Sequence, residues 1–288
     1  PSAERLQLAK IFGEIIHPPA APALLAISLK TDTAPELANV SLSSLSRYED
    51  QTIGKQIVSA FPQLPRDRQD AALSLLAARP SWALDLLIAI EQSTIPKSVV
   101  PQDLIERIRQ HSDNALQEKL TVLFPAKAPL ARESFRPQIE KVGKILSTSP
   151  GDPYAGEQIF MERCAACHQL FHKGGKIGPN LTSYQREDLG TMLVSIIDPN
   201  AEIREGYGNH IVTTKEGRIL SGFLTDEDEH VIVLRGFDGN DTTIPRKQIT
   251  ATKPTGLSLM PEGLLDSLAD DRLRDLFAYL RISQPISK

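Results

Sequence analysis

The apolar residues in the first part of the chain recur with the period of an α-helix. From residue 2 to about 124 they follow helical spacing, with capping and loop residues at short intervals. Two stretches, LSSLSRYEDQTIGKQI and LSLLAARPSWALDLLI, align at one constant offset, so that Leu42 matches Leu73 and Ile53 matches Leu84. This repeat predicts a HEAT-like array of stacked helical hairpins over residues 1–130. An unrelated helical bundle is the alternative.

A different pattern follows the helical part. The sequence ARESFRPQIEKVGKIL predicts a linker helix within residues 131–150, and the turn-forming STSPGDP marks a domain boundary. Within residues 205–252, apolar and polar residues alternate in four short runs separated by KEG, DEDE and DGND. This alternation predicts a small antiparallel β-sheet inserted into a second domain, residues 151–288. The expected fold is therefore mainly α.

Composition and charge narrow the function classes. The chain has 288 residues and a formal net charge of −4, with its charges dispersed, so no basic face argues for nucleic acid. No apolar run approaches the roughly 20 residues needed to cross a bilayer. The first residues, PSAERLQLAK, lack the features of a signal peptide. Because the chain starts at Pro1, we expect a signal or an upstream region to be missing from it.

Both cysteines of the chain lie in the pentad CAACH, which ends at His168. A thioredoxin-like dithiol at Cys164 and Cys167 needs a βαβ setting that the surrounding pattern does not provide. Structural zinc needs four ligands, and Cys164, Cys167 and His172 have no third cysteine to complete them. The remaining interpretation is one covalent haem c, for which C-x-x-C-H is the attachment pattern. Two thiols on the first turn of a helix can reach the two haem vinyl groups, which directs His168 to the iron.

Residues on both sides of the pentad resemble the class I cytochrome c pattern. Gly156 and Phe160 precede Cys164 on the same helical face, and the loop GPNL follows at residues 178–181. The resemblance implies that the Pro179 carbonyl accepts a hydrogen bond from the imidazole of the proximal ligand. Such a bond fixes the tautomer of His168.

Four residues are candidates for the distal haem ligand. Met192 lies in an amphipathic helical run typical of core methionines, and His210 and His230 lie in alternating, strand-like segments. Met260 lies in SLMPEGLLDSL, a Met-Pro loop that precedes the final helix DRLRDLFAYLRI. Because this order matches the class I pattern, we assign Met260 as the distal ligand. The pattern also implies that Tyr279 and its neighbours cross Gly156 and Phe160.

The second domain as a whole resembles the haem-binding domain family of planctomycete and verrucomicrobial bacteria, in which a HEAT-like region precedes a cytochrome c module. The resemblance is carried by GEQIFMERCAACH, GPNLT, IIDPNAEIREGY, GRILSGFLTDE and SLMPEGLLDSLADDRLRDLFAYL. It implies a periplasmic protein and a redox partner, or a fused dehydrogenase, as electron source.

We expect an electron-transfer module, not an enzyme, with His168 and Met260 on one haem iron. The alternative is a haem enzyme or gas sensor in which the distal ligand is displaced.

Overall fold

A computed structural model describes residues 2–125 and 132–286 of the protein. The described part is mainly helical, with two antiparallel sheets. Its α-helices are α1 Ser2–Glu14, α2 Ala21–Leu29, α3 Pro35–Leu45, α4 Gln51–Ala60, α5 Arg66–Leu76, α6 Pro80–Glu91, α7 Gln102–Ile108, α8 Asn114–Leu123, α9 Arg136–Leu146, α10 Pro153–Arg163, α11 Leu189–Ile197 and α12 Asp270–Arg281. Its strands are β1 Gln169–Leu170, β2 Lys173–Gly174, β3 Asn209–Thr214, β4 Ile219–Glu227, β5 Val231–Arg235, β6 Asp241–Pro245 and β7 Ile249–Pro254. The expected boundary between residues 130 and 131 lies outside the described residues.

The chain divides into two compact units, and neither is continuous in sequence. Unit 1 contains Pro1–Ala126 and Gly208–Thr255, and unit 2 contains Lys127–Tyr207 and Gly256–Lys288. Helices α1–α8 and strands β3–β7 therefore belong to unit 1, whereas α9–α12 and the short β1–β2 hairpin belong to unit 2. None of the described helices is both long enough and apolar enough to cross a membrane.

Most helices of unit 1 pack on the helix two positions further along the chain, whereas α2 packs mainly on α3. Helix α1 contacts α3, α3 contacts α5, α4 contacts α6, and α6 contacts α8. This is the contact pattern of stacked helical hairpins, and the HEAT-like type stays a prediction. The side chain of Asp50 caps α4 by accepting from the Thr52 amide at 2.8 Å. The indole of Trp82 is fully buried and donates to the Asp50 carbonyl at 3.0 Å, which joins α6 to the start of α4.

The inserted sheet has five antiparallel strands in the order β6-β5-β4-β3-β7. The first four correspond to the alternating runs of the sequence. The fifth, β7, pairs with β3 through contacts such as Val212 opposite Thr252, and it extends to Pro254, beyond the expected end of the insertion. Most residues of β7 are exposed, so its sequence lacks the buried alternate positions that reveal a strand.

The sheet packs into unit 1 rather than forming part of one continuous domain over residues 151–288. Its apolar face packs against Ala78, which lies between α5 and α6. The Ile219 amide donates to the Ala78 carbonyl at 3.0 Å. Arg107 of α7, fully buried, donates to the Ile219 carbonyl at 2.5 Å and the Ser74 carbonyl at 2.8 Å. The contacts of Ile219 join segments more than one hundred residues apart, which explains why the alternating pattern alone did not place the sheet.

Unit 2 is organised around the crossing of α10 and α12. A Cβ atom at Gly156 would lie 1.9 Å from the Asp275 carbonyl oxygen, so the two backbones approach at a distance that only glycine permits. The rings of Phe160 and Tyr279 lie one helical turn further, with centroids 5.5 Å apart. The crossing predicted from the sequence is thereby confirmed for Gly156, Phe160 and Tyr279.

Candidate haem site

The CAACH pentad forms a tight turn that follows the end of α10. The Cys164 amide donates to the Phe160 carbonyl at 2.8 Å and continues the last helical turn. The amides of Cys167 and His168 then both donate to the Cys164 carbonyl, at 3.1 and 2.9 Å. Both thiols and the imidazole are therefore presented by one turn after a helix, not by the first turn of a helix as the sequence analysis assumed.

A glycine-containing segment wraps around this turn. The Gly175 amide donates to the Ala165 carbonyl at 2.7 Å, and the Gly178 amide donates to the Cys167 carbonyl at 2.9 Å. A Cβ at Gly175 would lie 2.3 Å from the Ala166 carbonyl oxygen, so no larger residue fits at this approach. The segment satisfies backbone acceptors of the turn that would otherwise lie unpaired.

The imidazole of His168 is fixed by the loop that follows. Its Nδ1 lies 2.9 Å from the Pro179 carbonyl oxygen, and a Cβ at Gly178 would lie 2.7 Å from its Cε1. A carbonyl can only accept, so Nδ1 carries the proton and the lone pair of the neutral ring is on Nε2. Burial lowers the pKa of His168, and the Pro179 hydrogen bond opposes this shift.

The two cysteines are not joined by a disulfide, and both are partly buried. Burial raises the pKa of the Cys164 thiol to about 12, and the neighbouring Cys167 acts in the same direction. Redox-active dithiols depend on a thiolate with a depressed pKa. The surroundings of Cys164 therefore disfavour the thioredoxin-like interpretation.

The zinc interpretation used His172 as a third ligand, and this residue is exposed in the turn between β1 and β2. Across residues 2–125 and 132–286, no group of three or more His, Cys, Asp or Glu side chains is placed to hold a metal ion. The two thiols thus lack a matching ligand set among the described side chains.

Met260 lies in unit 2, in the loop between β7 and α12, and is partly buried. The flanking Leu259 and Leu265 are buried, which anchors the loop on both sides of the methionine. Of the other candidate ligands, Met192 lies in α11 and packs against the apolar core of unit 2. His210 lies in β3 and His230 in the turn between β4 and β5, both in unit 1.

Two residues of this loop region were missed by the sequence analysis. Asn200 and Ser258 form hydrogen bonds that hold the backbone of the Met260 loop. Asn200 follows Pro199 in a turn, and its sequence context resembles that of any turn-forming asparagine. Nothing in this context indicates that the side chain reaches a segment about sixty residues further along.

Comparison with known proteins agrees with this geometry. The family model for cytochrome c matches residues 154–233, from α10 into β5. Residues 154–233 are thus similar to a cytochrome c module. The module is also similar to cytochrome c of Ginkgo biloba, with 49% identity over 43 residues, which cover 15% of this chain and 38% of the relative. A cytochrome c module implies covalently bound haem c.

The match covers Cys164, Cys167, His168 and Pro179 and ends before Met260. The chain spans 38% of the length of the relative, so the relative's activity as a whole protein does not transfer with the match. The module is consistent with an electron carrier.

Proposed function

We propose that unit 2 is a single-haem c-type cytochrome module that carries electrons, with His168 and Met260 as axial ligands. The observation that carries this proposal is the 2.9 Å contact between His168 Nδ1 and the Pro179 carbonyl. It leaves the lone pair on Nε2, the nitrogen that a proximal ligand must direct at a metal.

The side chains of the CAACH turn and the loop after it fit a covalently attached haem. Cys164 and Cys167 are not joined by a disulfide and lie on the same turn as His168, and the close approach of Gly178 to the imidazole holds the ring in one orientation. The two cysteines would attach haem c as thioethers, and His168 would be the proximal ligand. When bound, the haem supplies one-electron chemistry between ferric and ferrous iron.

The chain's own groups then determine whether the module is a carrier or a catalyst. Pro179 holds the proton on Nδ1 of His168 and thereby increases the donor strength of Nε2. Met260 would fill the second axial position with a thioether sulfur, which leaves no coordination site for a substrate. An iron whose coordination sites are all occupied favours electron exchange over chemistry at the iron. The electrons would come from a redox partner protein or from a fused dehydrogenase.

The same proposal assigns a compartment. Thioether attachment of haem takes place outside the cytoplasm in bacteria, so we place the protein in the periplasm. We take the helical array of unit 1 to be HEAT-like. This array, together with the domain order of the planctomycete-type family, fits a larger redox assembly.

Replacing Met260 tests the distal ligand. In Met260→Ala, the haem should stay attached, because the thioethers do not depend on the loop. The ferrous protein should bind carbon monoxide readily, and the ferric protein should lose the weak far-red band of methionine ligation.

The chain has three methionines, so matched controls exist. Met192→Leu, within the apolar core of unit 2, and Met161→Leu, on the exposed face of α10, should both keep the parent spectrum. A parent-like spectrum in Met260→Ala contradicts the assignment. If the parent protein itself binds carbon monoxide at once, the haem enzyme or gas sensor alternative replaces the electron carrier.

A further inference from the structure

The loop that carries Met260 is held from a distant part of unit 2 by one side chain. The Ser258 amide donates to Oδ1 of Asn200 at 2.8 Å, and Nδ2 of Asn200 donates to Oε1 of Glu262 at 3.0 Å. These two contacts lie two residues before and two residues after Met260. The asparagine therefore holds the loop on both sides of the methionine.

The orientation of the Asn200 amide follows from its partners. Ser258 presents an N–H, which needs an acceptor, and Glu262 presents a carboxylate, which needs a donor. Turning the amide over would place N–H against N–H and oxygen against carboxylate, so only one orientation satisfies both. The arrangement is specific for an amide, because neither a carboxylate nor a hydroxyl supplies both functions at this spacing.

The hydrogen bonds of Asn200 extend, through Ser258, to the backbone of Met260. The Met260 amide donates to Oγ of Ser258 at 3.1 Å, so Asn200 holds Ser258 and Ser258 holds Met260. Each link is local except the one made by Asn200, which connects segments about sixty residues apart. Removing Asn200 leaves the Ser258–Met260 contact without its distant anchor.

Asn200 is itself well placed to act as an anchor. It lies just after α11, whose residues Leu193 and Ile197 are buried in the core of unit 2. The Ala201 amide donates to the Asp198 carbonyl at 3.0 Å, which closes the turn that presents Asn200. Pro199 fixes one backbone dihedral within that turn.

We propose that Asn200 is the positioning residue for the distal ligand, holding the Met260 loop closed so that the methionine sulfur stays in place. This inference rests on the proposed function, in which Met260 is a haem ligand. Hydrogen bonds to loop backbone stabilise one conformation over open ones by a modest free energy each. Losing both Asn200 contacts should therefore increase the fraction of open loops about tenfold.

The test uses the full-length holoprotein with Asn200→Ala. The ferrous form should bind carbon monoxide about tenfold more tightly than the parent, because the ligand competes with a less firmly held methionine. The far-red band of the ferric form should weaken, and the reduction potential should fall as methionine ligation becomes incomplete.

A rescue experiment separates positioning from loss of volume. Asn200→Asp keeps the acceptor for Ser258 but places a second carboxylate against Glu262, so it should resemble Asn200→Ala. Combining it with Glu262→Gln restores a donor–acceptor pair with the roles reversed. The double variant should recover most of the parent's band and its resistance to carbon monoxide.

Arg186→Ala is the matched control for stability. Arg186 donates to the carbonyls of Leu280 at 2.9 Å and Ile282 at 2.7 Å, at the far end of α12, so its loss should destabilise unit 2 without touching the Met260 loop. We expect a lower unfolding midpoint, an unchanged band and unchanged carbon monoxide binding.

The outcomes distinguish this inference from the proposed function. If the parent shows methionine ligation and Asn200→Ala shows no more carbon monoxide binding than Arg186→Ala, the positioning role is overturned and the cytochrome proposal stands. If the parent lacks the methionine band or covalent haem, the proposed function itself fails. Tighter carbon monoxide binding in Asn200→Ala, together with the parent's binding and far-red band in the double variant, supports the positioning role.

Discussion

In unit 1 the apolar core extends from Ala9 to Phe124 and is filled by the chain's own side chains, among them the fully buried Trp82. In unit 2 the core is smaller, and the turn after α10 carries the two cysteines and an oriented imidazole. The first unit is completed by its own residues. Under the proposed function, the second unit is arranged around a covalently attached haem, so its stability should depend on the haem.

The chain offers separate probes for the two units. Trp82 is its single tryptophan and lies in unit 1, so its fluorescence reports on that unit. Haem absorbance would report on unit 2. Unfolding followed by both signals therefore compares the two units within one sample.

The largest effect is expected from removing both attachment thiols. Cys164→Ser combined with Cys167→Ser should give protein without covalent haem and with a poorly folded unit 2, because the haem contributes a large apolar contact. The Trp82 transition of unit 1 should keep its midpoint. Hydrogen exchange by mass spectrometry should show fast exchange in α10–α12 and parent-like protection in α3–α6.

Metal and haem analysis of the parent completes this experiment. Covalent haem, shown by the pyridine haemochrome spectrum, is expected in a host that attaches haem c. Stoichiometric zinc without haem would overturn the haem assignment. A well-protected unit 2 in the double variant would contradict the dependence of its fold on haem.

A smaller effect, confined to the other unit, is expected from Arg107→Met. The change leaves the carbonyls of Ile219 and Ser74 without their donor and Asp103 without its nearby positive charge. Breaking a buried pair in this way costs about 3–5 kcal/mol. Urea unfolding followed by Trp82 fluorescence should show this loss, while the haem spectrum stays unchanged.

Arg5→Met is the control, because Arg5 is an exposed arginine of the same unit. Its effect should be within about 0.5 kcal/mol, as is usual for surface substitutions. Equal effects of the two substitutions would show that the buried contacts of Arg107 do not join the sheet to the helices.

The two units also differ in what their sequences reveal. The site in unit 2 is carried by short motifs, so Cys164, Cys167, His168 and Pro179 could be named from local spacing, and the structure brings these four together. The hydrogen bonds of Asn200 could not be predicted from the sequence. Its partners lie far away along the chain, and an asparagine after proline resembles an ordinary turn residue.

In unit 1 the periodicity predicted helices and four strands, but not the packing of the sheet. That packing depends on buried arginines that donate to backbone carbonyls, as Arg107 does to Ile219 and Arg79 does to Glu216. Backbone carbonyls have no sequence signature, and arginine is usually a surface residue. Hydrophobic pattern alone therefore gives the elements and leaves their polar contacts undetermined.

The smallest effect concerns one carboxyl group of unit 1 and its response to pH. Asp103 is buried, and its Oδ2 has no hydrogen-bond partner among the residues described. Burial raises the pKa of this carboxyl to about 6, although Arg107 opposes the shift. An unfolded aspartate has a pKa of about 4. Between these values the folded protein binds a proton that the unfolded chain has released.

The free energy of unfolding attributable to Asp103 therefore decreases as the pH rises through that window and is constant above it. Other carboxylates also titrate there, so the measurement is the difference between the parent and Asp103→Asn, which cannot titrate. The variant should gain up to about 2 kcal/mol relative to the parent between about pH 4.5 and pH 7. Trp82 fluorescence should report this gain, with no accompanying change in the haem band. A difference that is constant with pH would show that Asp103 titrates in the folded protein as it does in the unfolded chain.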